Sequence, residues 1–234
     1  MGAIYKREMK AYFTSLISYF FFAVFFAVQG VAFSQLYENG STSVFLIPFY
    51  LPLYLTVFLI PLLTMRTISE DKRQKVDQVL LTAPVSVTSV VLGKFFACLS
   101  IYAIAISPLI IFQVIASYYS ATNWWLFLYS LLGALLLAAT LIAIGIFISS
   151  LTESTALAAV LTVAVNIVLL FISSLTQSVN VQFIVKVVEA VSIIDRSANF
   201  QISTFDITDI IYYLSYIVVF LFLSVRSVER RRWA

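Results

Sequence analysis

Six apolar runs, each long enough to cross a bilayer, dictate what this chain can fold into. They cover residues 16–35, 44–65, 92–118, 124–149, 156–175 and 210–228. A helix crosses the hydrocarbon core with about 20 apolar residues. Inside lipid every peptide group must find its partner within the protein, so runs of this length predict helices. The expectation is an all-α integral membrane protein with six transmembrane helices, forming a single domain over residues 1–234. Composition points the same way. The chain is 62% hydrophobic and 11% charged, where a soluble domain is about 25% charged, and its mean hydropathy is +1.04. The first run is too long for the core of a signal peptide and no small-residue cleavage site follows it, so it is read as a retained span.

Several chemistries are excluded. The single cysteine, Cys98, has no partner for a disulfide. Without histidine, imidazole–metal sites and histidine-based proton transfer are absent. A serine nucleophile would lack a base, and no carboxylate, lysine or arginine stands near the middle of a span, where ion-coupled transporters place one. No G-x-x-x-x-G-K-[ST] stretch is present, so the chain is not read as an ATPase or other enzyme, and no cofactor is expected.

Orientation follows from the basic residues. With the N-terminus placed in the cytoplasm, twelve of the 14 lysines and arginines fall inside and only Lys186 and Arg196 outside. Acidic residues show no such bias. Both termini are therefore expected in the cytoplasm. Trp124 and Trp125, at the start of the fourth run, suit an interfacial aromatic belt.

The first 14 residues read as an interfacial helix. Tyr5, Met9, Tyr12 and Phe13 share one arc, and Lys6, Arg7 and Lys10 share another, facing anionic head groups of the bilayer. The plainer alternative is a positive flank that only fixes topology. In the second run, Pro48, Pro52 and Pro61 each remove a backbone donor, and the freed carbonyls need partners inside the protein. Pro108 is expected to kink the third span. Gln29, Gln113 and Asn166 sit within spans, where amides bond between helices or, alternatively, line a substrate path.

Charge gathers in one place only, the segment 65–91. On a helical wheel starting at Met65, the residues Met65, Ile68, Val76, Val79 and Leu80 fall within about 120° of arc. Arg66, Glu70, Arg73 and Asp77 occupy the adjoining arc, with Asp71, Lys72 and Lys75 between the same ends. Arg66–Glu70 and Arg73–Asp77 are spaced i,i+4 and Glu70–Arg73 i,i+3. Each such pair contributes only about 0.2–0.5 kcal/mol. Pro84 stops this helix and Ser86 is placed to cap the next. A half-apolar, half-charged helix under the membrane is a docking element for a soluble partner.

With its N-terminal helix, its six spans and the run "RTISEDKRQ…LLTAPVSVTSVVLGKFF", the chain resembles the permease subunits of ABC-2 type transporters, nearest to the gliding-motility-like permeases. Residues Arg66, Glu70-Asp71, Lys72-Arg73, Leu80 to Ser86 and Gly93-Lys94 carry the pattern; Val76-Asp77 stand where it usually has Gly-Thr. The closing stretch "FDITDIIYYLSYIVVFLFLSVRSVERRRW" resembles that group's last turn, final span and basic tail. The resemblance implies an exporter in a bacterial cytoplasmic membrane. It also implies two copies of a separate ABC ATPase, a second permease protomer (the same chain or a paralogue) and no nucleic acid. Residues 65–91 would be the coupling helix, with Arg66, Glu70, Asp71, Lys72, Arg73, Lys75 and Asp77 at the ATPase. The alternative is a non-transporting membrane anchor of an ATPase-driven envelope or motility machine.

Residues 176–209 form the sizeable external segment. Val181, Ile184, Val185, Val188 and Val191 share a face opposite Gln182, Lys186 and Glu189. This reads as a surface helix, either an external gate or a structural lid. Lys186, Glu189, Asp195 and Arg196 are its candidate cap residues. Asp206 is placed to cap the last helix, with Asp209 in its first turn.

Overall fold

The computed structural model describes residues 1–38, 47–75, 86–119, 123–172, 192–201 and 206–230. Among these the chain is helical throughout, with no strand. In chain order the helices are α1 (Gly2–Thr14), α2 (Leu16–Glu38), α3 (Ile47–Thr64), α4 (Ser69–Arg73), α5 (Val87–Ile106), α6 (Pro108–Tyr119) and α7 (Trp124–Leu151). They continue with α8 (Thr155–Phe171), α9 (Ile193–Ser197), a 3-10 turn (Ala198–Gln201) and α10 (Ile207–Arg230).

Among the described residues, four stretches are long and apolar enough to cross a membrane: Leu16–Gln35, Val87–Tyr119, Trp124–Leu151 and Ile207–Arg230. The second and fifth expected spans correspond to α3 and α8, apolar helices of 18 and 17 residues. The third span is broken where Pro108 lies. α5 ends at Ile106, and the Ser107 N–H turns back to the Ile104 carbonyl at 3.2 Å. Loss of the proline's donor explains the break.

α7 is the hub. Its apolar window is 72% buried, against 22–44% in the other three, and α3, α5, α8 and α10 all pack on it. Small residues allow this approach. A Cβ on Gly145 would stand 2.3 Å from Thr64 Oγ1, and one on Gly133 would stand 2.5 Å from Cγ of Phe200. α3 and the turn after α9 are therefore seated against bare backbone.

The buried amides meet broken helix ladders. Pro61 cannot donate to the Val57 carbonyl one turn back, and Asn166 Nδ2 on α8 donates to it at 3.0 Å. Gln29 Nε2 on α2 donates at 3.1 Å to the Ala105 carbonyl, beside the break before Pro108. Inter-helix bonding thus accounts for the amide nitrogens of Gln29 and Asn166; the side-chain oxygens of Gln29, Gln113 and Asn166 are buried without a partner among the described residues.

Several local signals are realised. Ser86 Oγ accepts from the Ser89 N–H at 3.4 Å and caps α5. Asp206 Oδ1 accepts from the Thr208 N–H at 2.8 Å at the start of α10; the Thr208 hydroxyl, and after it this N–H, holds the Asp206 carboxyl below the usual range. Trp125 is exposed at the start of α7.

Candidate functional site

The C-terminal ends of α3, α7 and α10 meet α4, the start of α5 and α1 at one end of the bundle. Ser149 and Ser150, near the end of α7, organise the turn after α3. Ser149 Oγ accepts the N–H groups of Ile68 and Ser69 at 3.2 and 3.0 Å, supplying from another helix the cap that α4 lacks. The Ser150 carbonyl accepts from Lys72 Nζ and, at 3.3 Å, from Ser227 Oγ of α10.

Lys94, two turns into α5, is the centre. Its side chain is only 2% exposed. Nζ lies 2.6 Å from Asp71 Oδ2 on α4 and 3.0 Å from Glu8 Oε1 on α1. Arg7 Nη2 closes the cluster, 2.7 Å from Glu8 Oε1 and 3.7 Å from Asp71 Oδ2. Two cations and two carboxylates balance, which is the condition for holding an ammonium away from water. Burial pushes the Glu8 carboxyl up, but Lys94 and Arg7 more than offset it, leaving Glu8 below the usual carboxylate range. The hydrogen bond to Glu8 raises Arg7 further.

α1 is held here by more than charge. Ile4 packs on Gly93, where a Cβ would meet Ile4 Cγ2 at 3.0 Å. Tyr5 Oη pairs with Ser100 Oγ at 3.0 Å. Tyr12 donates its proton to the Leu63 carbonyl at 3.0 Å, so the Cys98 thiol, 3.0 Å away, must donate to Tyr12. Burial raises the Tyr12 phenol well above its ordinary value and keeps it a donor. The aromatic arc expected to face lipid is thus largely turned onto α5. Phe13 stays exposed.

The expected docking residues divide into two groups. Arg66 Nε and Glu70 Oε2 form the i,i+4 pair at 3.7 Å, and both remain partly exposed. Arg73 and Lys75 are exposed. Asp71 and Lys72 point inward, Asp71 to Lys94 and Lys72 to Ser150. The long helix expected from Met65 is instead a series of turns followed by the five-residue α4. Lys75 adopts φ 57°, left-handed backbone that ends the helix. Asp77, with Val76, Val79 and Leu80, lies outside the described residues.

Lys6 and Lys10 are exposed on α1, while Arg7 is drawn into the cluster. At the opposite end of the bundle, Arg196 Nη1 lies 3.4 Å from Asp209 Oδ1 and its guanidinium stacks 4.2 Å from the Tyr212 ring centre. Asn199 Nδ2 donates to Asp209 Oδ2 at 3.1 Å. Lys186, Glu189 and the Asp195 side chain lie outside the described residues.

Sequence reasoning passes over Glu8 and Lys94 as site residues, although each carries a signal. Glu8 is the one carboxylate among the three cations of α1, and Lys94 is a lysine set directly before Phe95-Phe96 inside an apolar helix.

What this arrangement can do is mechanical. A single buried ammonium ties the segment after α3 to α1 and to a membrane span, while Arg66, Glu70 and Arg73 remain presented outward. The model of a family described as ABC-2 family transporter protein matches residues 4–233. No curated protein matches the chain.

Proposed function

The chain belongs to the ABC-2 transporter family, and from that premise we propose that it is the permease subunit of an exporter driven by a separate ABC ATPase. Two permeases and two ATPases would form the working unit in a bacterial cytoplasmic membrane, with six spans per permease and both termini in the cytoplasm. The bias of basic residues supports that orientation.

One observation carries the coupling role. The partly exposed Arg66–Glu70 pair and exposed Arg73 sit on a segment whose inner side is fastened to α5 and α7. A push on that rim by a soluble ATPase is passed to two spans with little slack. Glu8 extends the same connection to α1.

The test is reversal of Arg66, Glu70 and Arg73, which leaves the buried cluster untouched. The expected result is normal membrane insertion with weakened capture of the ATPase. Breaking a charged pair buried in the interface costs about 2–5 kcal/mol and breaking one at the rim far less. Unchanged capture and unchanged ATP turnover in the complex would move the docking site away from this segment. Capture with turnover but no vectorial movement of any cargo would favour the anchor reading.

A further inference from the structure

A cleft of about 560 Å³ opens between α1, the first turn of α2 and residues 66–74. α2 provides the candidate span Leu16–Gln35, so the cleft lies at the span's end, the level of lipid head groups. The groups a ligand meets there are Arg7, Arg66, Glu70, Gln74, Ser15 and Leu16, with the Lys94 cluster behind them.

Three properties define the ligand. First, the side chains of Arg7 and Arg66 are 44% and 45% exposed. Arg66 approaches Glu70 only through Nε, and its two terminal nitrogens have no partner among the described residues. Two guanidinium groups on one cleft suit a phosphate. Second, the cleft's three cations are matched by Glu8, Glu70 and Asp71, so its wall carries no net charge. Such a wall favours a ligand bearing both signs over a net anion. Third, Leu16, Tyr19 and Phe20 are exposed at i, i+3 and i+4 on α2, an apolar stripe leading from the cleft along the span.

We propose that this cleft binds one amine-bearing glycerophospholipid, phosphatidylethanolamine in chemical type. Its phosphate bridges Arg7 and Arg66, its ammonium meets Glu70, and an acyl chain follows Leu16, Tyr19 and Phe20. Phosphatidylcholine fails at Glu70 because its quaternary amine has no proton to donate. Phosphatidylglycerol brings no ammonium to Glu70, which keeps only its contacts with Arg66 Nε at 3.7 Å and Gln74 Nε2 at 3.1 Å. Arg66 and Glu70 also belong to the proposed ATPase rim, so lipid binding is measured on the chain without an ATPase, where it stands or falls separately from docking.

The experiment uses the full chain, purified without any ATPase, stripped of lipid and returned to detergent with phosphatidylethanolamine, phosphatidylcholine or phosphatidylglycerol. Bound lipid is counted by native mass spectrometry. The expected result is one retained phosphatidylethanolamine and a preference over phosphatidylcholine of roughly tenfold, as one charge-assisted hydrogen bond supplies. Glu70→Gln abolishes that preference while keeping binding. Arg66→Gln weakens all three lipids. Both changes are at partly exposed side chains, and unchanged helical content and elution confirm folding. Equal retention of the three lipids, or preference for phosphatidylglycerol, overturns the proposal. So does full displacement by soluble phosphoethanolamine at equal concentration, which would make the ligand a free phosphate ester and not a lipid.

Discussion

Lys94 shows how one residue fixes the behaviour of its surroundings. Removing one partner of a buried ion pair costs about 3–5 kcal/mol, because the remaining charge stays buried and unpaired. Lys94→Met leaves Glu8 and Asp71 to share Arg7 alone. The expected outcome is a large fall in thermal stability of the purified chain, partly restored by adding Asp71→Asn. A melting curve unchanged by Lys94→Met would mean the cluster holds nothing together. Glu8 adds a pH dependence with a definite sign. Its folded-state pKa is depressed, so its contribution is present at neutral pH and is lost as pH falls through the depressed value. The groups facing it are Arg7 on its own helix and Lys94 on α5. Acid titration followed by a fluorophore on Lys6→Cys should therefore report release of α1, and Glu8→Gln should remove that transition. A transition that persists in Glu8→Gln belongs to another carboxylate.

At the scale of elements, bonding between helices decides where helices are allowed to break. Pro61 frees the Val57 carbonyl, and Asn166 bonds it from α8. An unpaired buried carbonyl costs about 1–3 kcal/mol, so Asn166→Leu should destabilise by that order. Pro61→Ala restores the missing N–H and should make Asn166 nearly dispensable. A double-mutant cycle measures this directly; additive effects of the two changes would show that the amide serves some other purpose. The prolines and the need for a partner are readable from sequence, because a missing N–H is a local fact. That Asn166 answers Pro61 is not, because 105 positions separate the two and only packing brings them together. The same distinction runs through the charged segment. Ser86 and Asp206 cap their own helices and are legible. The extent of α4 is not: periodicity favours a long helix, but its N-terminal cap comes from Ser149 and its end from the left-handed Lys75. Asp71 and Lys72 belong to the charged run that reads as a docking surface, yet both turn to internal partners.

Across the whole molecule, α7 is a rod with two ends that differ in kind. Its start carries the Gly133 notch that receives Phe200, close to the Arg196–Asp209 pair; its finish carries Ser149 and Ser150, which bind the turn after α3 and the end of α10. Because α10 ends beside α7's finish and α1 is fastened to the same end through Lys94, both ends of the described chain lie on one side of the bundle. That makes a prediction independent of any partner. Cys98 is the sole cysteine and is buried, so the native chain gives little background for labelling in intact membranes. Single cysteines at Lys6, Arg73 and Arg226, all at exposed positions, should react with a membrane-impermeant maleimide from one side only. A cysteine at Asn123, at the far end of α7, should react only from the other. In the orientation proposed above the first side is the cytoplasm, so in sealed right-side-out cells only Asn123→Cys should label, and the other three should label after permeabilisation. Labelling of Arg226→Cys in intact cells, with Lys6→Cys protected, would place the chain's ends on opposite faces and require an odd number of crossings. An odd number cannot be reconciled with an α10 that returns to the end where α1 is bound.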